Sequence, residues 1–150
     1  MGVLTEDVLA YIGRQDEPRV EVVNRRDIRK YSIATRQRKA KYLNGDEAPP
    51  LYHVALFWDV VPLDELSPDG VSVDTLLPRF PLERAMAGGL EIEYHRRIRA
   101  GDTVVGQRTL TAIYEKEGRS GPLIFYEVEL AVRLDSGEPV LTEKTTRILR

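Results

Sequence analysis

The feature that most limits what this chain can fold into lies in its second half, where Ile124, Tyr126, Val128, Leu130, Val132 and Leu134 take every other position without a break. A period of two puts all six side chains on one face of a strand, whereas a helix would scatter them around its circumference. The same alternation sets Leu90, Ile92 and Tyr94 against Glu91, Glu93 and His95, and the stretch from Thr103 to Tyr114 is rich in Val, Thr and Ile. Turn residues separate these runs at Ala100-Gly101-Asp102, at Gly118 to Gly121 and at Asp135-Ser136-Gly137, after which Val140 to Leu149 supplies a last strand. Four strands joined by short turns predict an antiparallel meander.

The first half follows a different period. Thr5 is placed to cap a helix carrying Glu6 and Asp7 in its first turn and Leu4, Val8, Leu9 and Ile12 at helical spacing, with Gly13 ending it. A short apolar stretch, Val20 to Val23, precedes a second helix that Asn24 would cap, with Ile28, Tyr31 and Ala34 as its buried stripe. From Thr35 to Glu47 the pattern breaks into a polar, basic segment. Helical spacing returns at Pro49 and Pro50, residues tolerated at a helix start. The run that follows, LYHVALFWDVV, leaves few polar positions, so a helix there is expected to be surrounded by protein on most sides and to form the centre of the core. Pro62, Pro68, Gly70, Pro78 and Pro81 then punctuate a long irregular connection. Helices first and a meander afterwards predict an α+β fold, not a βαβ nucleotide fold. A length of 150 residues fits one domain, here with an N-terminal helical extension.

Composition narrows the chemistry. There is no Cys, which excludes disulfides, thiolate zinc sites and cysteine nucleophiles, and the only imidazoles are His53 and His95, which lack a recognisable ligand spacing; no metal and no cofactor is expected. A net charge of −2 argues against a whole-surface attraction to nucleic acid or anionic membrane. No apolar run approaches the ~20 residues of a membrane span and the N-terminus lacks a basic, then apolar, leader, so the expectation is a cytoplasmic protein. Charge is nonetheless uneven: from Arg25 to Lys41 there are eight basic residues against one acid, Asp27.

An apolar helix, a long connection and an antiparallel meander together suggest a hot-dog domain, in which the sheet wraps around the helix. The local sequence agrees. APPLYHVALFW (48–58), AGGLEIEYHRRIRAGDTV (87–104), YEKEGRSGPLIF (114–125) and SGEPVLTEKTTRILR (136–150) resemble, in order, the MaoC-like dehydratase N-terminal domain family. The resemblance implies a protein that binds or converts acyl thioesters, by hydration of an enoyl-CoA or dehydration of a 3-hydroxyacyl thioester. It also implies pairing with a second hot-dog domain, in a homodimer or in a heteromer with a catalytic MaoC-like subunit, since a lone meander leaves strand edges unpaired.

Hydration needs a base for water, a proton for the α-carbon and donors for the developing thioester oxyanion. Catalytic members of the wider group carry an Asp and a His in a GDxNPLH-type loop. Aligned so as to preserve APPLYHVALFW, this chain has Gln37 in place of the Asp and Tyr42 in place of the His, and no dyad: Gln is no base, and Tyr, with a pKa of about 10, is a poor one near neutrality. A second alignment stretches the motif over YLNGDEAPPLYH and makes Asp46 and His53 the pair. His53 also fits a core imidazole, and Asp46 fits turn chemistry in Asn44-Gly45-Asp46. His95, on the Glu91/Glu93 face, fits a strand residue in a cross-strand charge pair, and Asp102 fits a turn. Oxyanion donors at the start of the central helix would be Leu51 or Tyr52 and later amides, since the prolines have none. Arg36, Arg38 and Lys39, in the segment that replaces the catalytic loop, are the candidate contacts to the phosphates of coenzyme A or to an acidic carrier protein. The leading expectation is the substrate-binding half of a hydratase or dehydratase; the alternatives are a self-sufficient hydratase using Asp46 and His53, and a non-catalytic acyl-CoA-binding protein.

Overall fold

The computed structural model describes residues 2–68 and 70–150. The Val20–Val23 stretch contributes a strand, β1 (Arg19–Val22), to the expected four: β2 (Ala85–Tyr94), β3 (Thr103–Gly118), β4 (Gly121–Leu134) and β5 (Pro139–Leu149). All neighbours are antiparallel, in the order β1-β3-β4-β5-β2. The alternation in β4 works as read: Ile124, Leu130 and Val132 are buried on the inner face, Val128 opposite Leu110 and Val132 opposite Gly106. In β3 the period is interrupted once. Thr111 has no partner in the register, and that extra residue returns Ile113, opposite Tyr126, to the face it would otherwise leave.

The helices are α1 (Glu6–Leu9), α2 (Arg25–Ala34), α3 (Ala40–Leu43) and α4 (Tyr52–Leu56). Both expected caps form, with Thr5 accepting from the Val8 amide and Asn24 from the Asp27 amide. Helix α1 is shorter than its apolar spacing suggests, and the chain closes in turns up to Gly13, whose φ of 91° suits glycine. The stripe of α2 is also shifted: Ile28 and Ser32 are buried and Tyr31 partly so, but Ala34, the last residue of the helix, is exposed. Helix α3 falls inside the segment that showed no helical pattern; a single turn is too short to carry one.

The largest departure is the central helix. It spans five residues rather than the whole of LYHVALFWDVV, and only Tyr52 and His53 are buried in it. Leu51 enters in the left-handed conformation (φ 71°), so Pro49 and Pro50 precede the helix instead of starting it. After Phe57 the chain leaves the core, and Val60 is 96% exposed. Phe57 explains the exit: its ring lies on Gly106 of β3, where a Cβ would come within 2.6 Å of Cε1, so the helix is drawn down to the sheet at its end.

Two apolar clusters fill the inner face. One joins Val23, Ile28 and Tyr52 to Val104, Leu130, Val132, Val140 and Leu141. The other joins Val8 and Leu76 to Leu110, Ile113, Ile124 and Leu149. Leu76 brings the irregular connection into the second cluster, and Arg108 on β3 fastens it there. The Arg108 guanidinium donates to Asp16 at 2.7 Å and, as a fork, to the two oxygens of Asp74 at 2.8 and 3.0 Å. Strand β2 ends the sheet. Its outer edge pairs with no other strand among the described residues, and Leu90 on it is 52% exposed. Among the described residues no helix is long and apolar enough to cross a membrane.

Candidate active site

Burial of α4 against the sheet brings its imidazole to an acid ninety positions later in sequence. His53, 1% exposed, meets Glu143 of β5 with Nε2 2.5 Å from Oε2. Glu143 points inward because β5 alternates: Leu141, Glu143, Thr145 and Leu149 share the inner face, opposite Leu130 and Ile92 at the Glu143 level. The Thr145 hydroxyl donates to its other oxygen at 3.2 Å. The hydrogen bond from His53 holds the Glu143 carboxyl below the ordinary value of 4.5 against the opposing effect of burial, and the His53 charge and Thr145 act in the same direction. His53 Nδ1 is buried with no hydrogen-bond partner.

A cleft of about 10 Å³, the room of a single water, lies beside His53 and is lined by Leu51, Tyr52, His53, Tyr94, Arg96 and Arg97 among others. Tyr94 stands edge-on to the imidazole with ring centroids 6.4 Å apart. Its Oη accepts the Leu51 amide at 3.1 Å, so the first non-proline amide of the expected oxyanion site is engaged by this chain's own phenol. Tyr52 is buried beside the Tyr31 ring, edge-on at 5.3 Å. Burial, with the charges of Asp27 and Glu21, pushes its hydroxyl up to about 12, so it is a neutral hydroxyl near neutrality.

The other candidates are dispersed. Asp46 does not accompany His53: its carboxylate pairs with Arg25 of α2, and its backbone carbonyl accepts the Ala100 amide. Tyr42 is buried in α3 under the Lys41 ammonium, and Gln37 lies partly exposed in the turn after α2, its amide on the Ser32 carbonyl. Arg36, Arg38 and Lys39 are exposed, with Arg36 in a left-handed turn (φ 58°). Asp102 is a turn residue as expected, accepting the Arg99 amide and pairing with Arg96 at 2.9 Å. His95 lies one residue past the end of β2, exposed and with no carboxylate partner among the described residues; the strand stops at Tyr94, so the expected cross-strand pair does not form. The sequence reading missed Glu143. Its signal was an acid on the same parity as Leu141 and Leu149, to be matched with a histidine in an apolar helix.

Residues 10–143 match the family described as FAS1-like, dehydratase domain region. A curated relative, mesaconyl-C(4)-CoA hydratase of Chloroflexus aurantiacus, is 31% identical over 124 residues, which are 81% of this chain and 44% of that protein; the chain thus spans less than half of its length. A chain of the ChsH1-ChsH2 complex from Mycobacterium tuberculosis superposes with a TM-score of 0.69 at 18% identity, over 95% of this chain and 86% of that one. A MaoC-like dehydratase from Phytophthora capsici gives 0.67 at 21% identity, over 98% of this chain and 50% of that one. The sheet order, the short helix against its inner face and the match along most of its length make this chain a member of the FAS1-like dehydratase-region family, with the hot-dog fold of MaoC-like proteins.

Proposed function

We propose that this chain is the substrate-binding half of an acyl-thioester hydratase or dehydratase and works against a second hot-dog domain that supplies the Asp and His. In such a reaction the base takes a proton from water as oxygen bonds to the β-carbon, the double-bond electrons move toward the thioester carbonyl, and the α-carbon then receives a proton. The observation that carries the reading is the state of the candidate acid and base: Asp46 is bound to Arg25, and His53 is buried with its Nε2 on Glu143. Neither presents an open dyad to a substrate. The hydratase relative, more than half of which lies outside the match, supports both the substrate class and the need for further chain. The edge of β2, unpaired among the described residues, offers a surface for the second domain.

The test is activity with and without a partner. Purified alone, the chain is expected to bind acyl-CoA and to leave crotonyl-CoA unhydrated; combined with a short hot-dog protein carrying an intact GDxNPLH loop, it is expected to support turnover. Vigorous hydration by the chain alone would refute the half-enzyme reading.

A second reading is favoured by one contact. Glu143 in place of Asp46 would orient His53 through Nε2 and leave Nδ1 as a proton acceptor, making the chain a hydratase by itself. Loss of that solitary activity in both His53→Gln and Glu143→Gln would select it.

A further inference from the structure

The cleft beside His53 has a cation at its mouth that the fold does not use. Arg96 is paired with Asp102, and Lys41 with Glu47 at 2.7 Å. Arg97, which also lines the cleft, has no carboxylate partner among the described residues. Its guanidinium carbon lies 5.2 Å from the centre of the Tyr94 ring. A guanidinium stacked on an aromatic face keeps its N–H edges free for a planar ligand and has already given up part of its side-chain freedom.

The platform is itself held. Tyr94 is fixed through Oη by the Leu51 amide and at its edge by His53. Because the amide donates in that bond, the phenolic hydrogen remains available to an acceptor. His53 also lines the cleft. An arginine and the tyrosine it lies over thus stand together in the lining of one small cleft. The charge there matches a single anion: Lys41 is neutralised by Glu47, leaving Arg97 as the uncompensated cation.

We propose that Arg97, on its Tyr94 platform, binds a carboxylate carried by the acyl group, so that the chain selects thioesters of dicarboxylic acids over unsubstituted ones. This rests on the acyl-thioester reading above and specifies its substrate. The planar fork and a single positive charge suit a carboxylate, which two parallel N–H bonds satisfy. The doubly charged phosphates of coenzyme A call for several cations together, and those stand elsewhere, in the Arg36–Lys39 turn.

The experiment is calorimetric titration of the full chain with glutaryl-CoA and with hexanoyl-CoA, alike in length but differing in the terminal carboxylate. The unaltered chain is expected to bind glutaryl-CoA roughly tenfold or more tightly, the weight of one charge-assisted pair. Arg97→Gln should erase that preference while leaving hexanoyl-CoA binding and the melting temperature unchanged. Arg99→Gln, an exposed neighbour, should keep it. Equal affinity of the unaltered chain for both ligands overturns the carboxylate site, as does an equal loss for both in Arg97→Gln, which would assign the residue to coenzyme A phosphates. Binding of neither ligand by the unaltered chain would instead overturn the acyl-thioester reading itself.

Discussion

The imidazole of His53 and the carboxylate of Glu143 join the five-residue helix α4 to the strand behind it, Nε2 to Oε2 at 2.5 Å, in a place where neither can be fully hydrated. Removing one partner leaves the other buried and unpaired. Glu143→Ala should therefore destabilise the fold by roughly 3 kcal/mol, the low end for a broken buried pair, because Glu143 keeps 14% of its side chain exposed. Glu143→Gln, which keeps an acceptor, should lose less. Denaturant melts of the two variants check the order, and equal small losses would contradict it.

The same pair sets an acid limit. The Glu143 carboxyl is held below its unfolded value of 4.5, so the folded state favours its ionised form. Its contribution is fully present above that value and is lost as pH falls through the lower, folded one. Stability of the unaltered chain should fall on acidification more steeply than that of Glu143→Gln, and the gap between their melting temperatures should close at the acid end. A gap independent of pH would exclude Glu143 as the titrating group.

Gly106 is a packing position. A methyl group there would meet Phe57 Cε1 at 2.6 Å and Cζ at 2.8 Å. Gly106→Ala should cost about 1–3 kcal/mol by overpacking, and Phe57→Leu in the same chain should recover part of it. Additive losses in the double variant would mean that the two do not touch in solution.

Arg108 fastens two distant segments, and lysine cannot reproduce its three bonds to Asp16 and Asp74. With about a third of the side chain exposed, Arg108→Lys should cost only about 1 kcal/mol. The larger effect should be local, with faster proteolytic cutting in the connection between α4 and β2. Unchanged cutting would show that the apolar packing of Leu76 and Phe80 holds that segment without Arg108.

Replacing Arg36, Arg38 and Lys39 together by Ala should weaken CoA-thioester binding and leave melting unchanged, since all three are exposed. The loss should shrink with added salt. Acyl-pantetheine, without the nucleotide phosphates, should bind the variant and the unaltered chain alike; equal losses for both ligands would assign the turn to the acyl pocket.

Much of this architecture was legible in the sequence. Alternation from Ile124 to Leu134 set the inner face of β4, and Asn24 and Thr5 marked two helix starts. The extent of the central helix was not legible, because apolar residues from Trp58 to Val61 look the same in sequence whether they face a core or solvent. What ends α4 is Phe57 settling on Gly106, a contact across about a third of the chain. The site was half readable for the same reason. His53 stood out as an imidazole among apolar residues, but its carboxylate was sought nearby, at Asp46, where Arg25 had a stronger claim. Glu143 becomes its partner only when sheet register brings β5 under α4.

The open side of β2 bears on how such a chain can be produced. Its outward-facing amides and carbonyls form a template for any extended strand, and identical copies are the strands most often at hand when the chain is abundant. If the proposed second hot-dog domain closes that edge, it must arrive in matching amount and soon after synthesis. Dosage thereby becomes part of the folding problem: a surplus of this chain should drift toward self-association, and balanced co-expression should restore solubility without altering a single side chain.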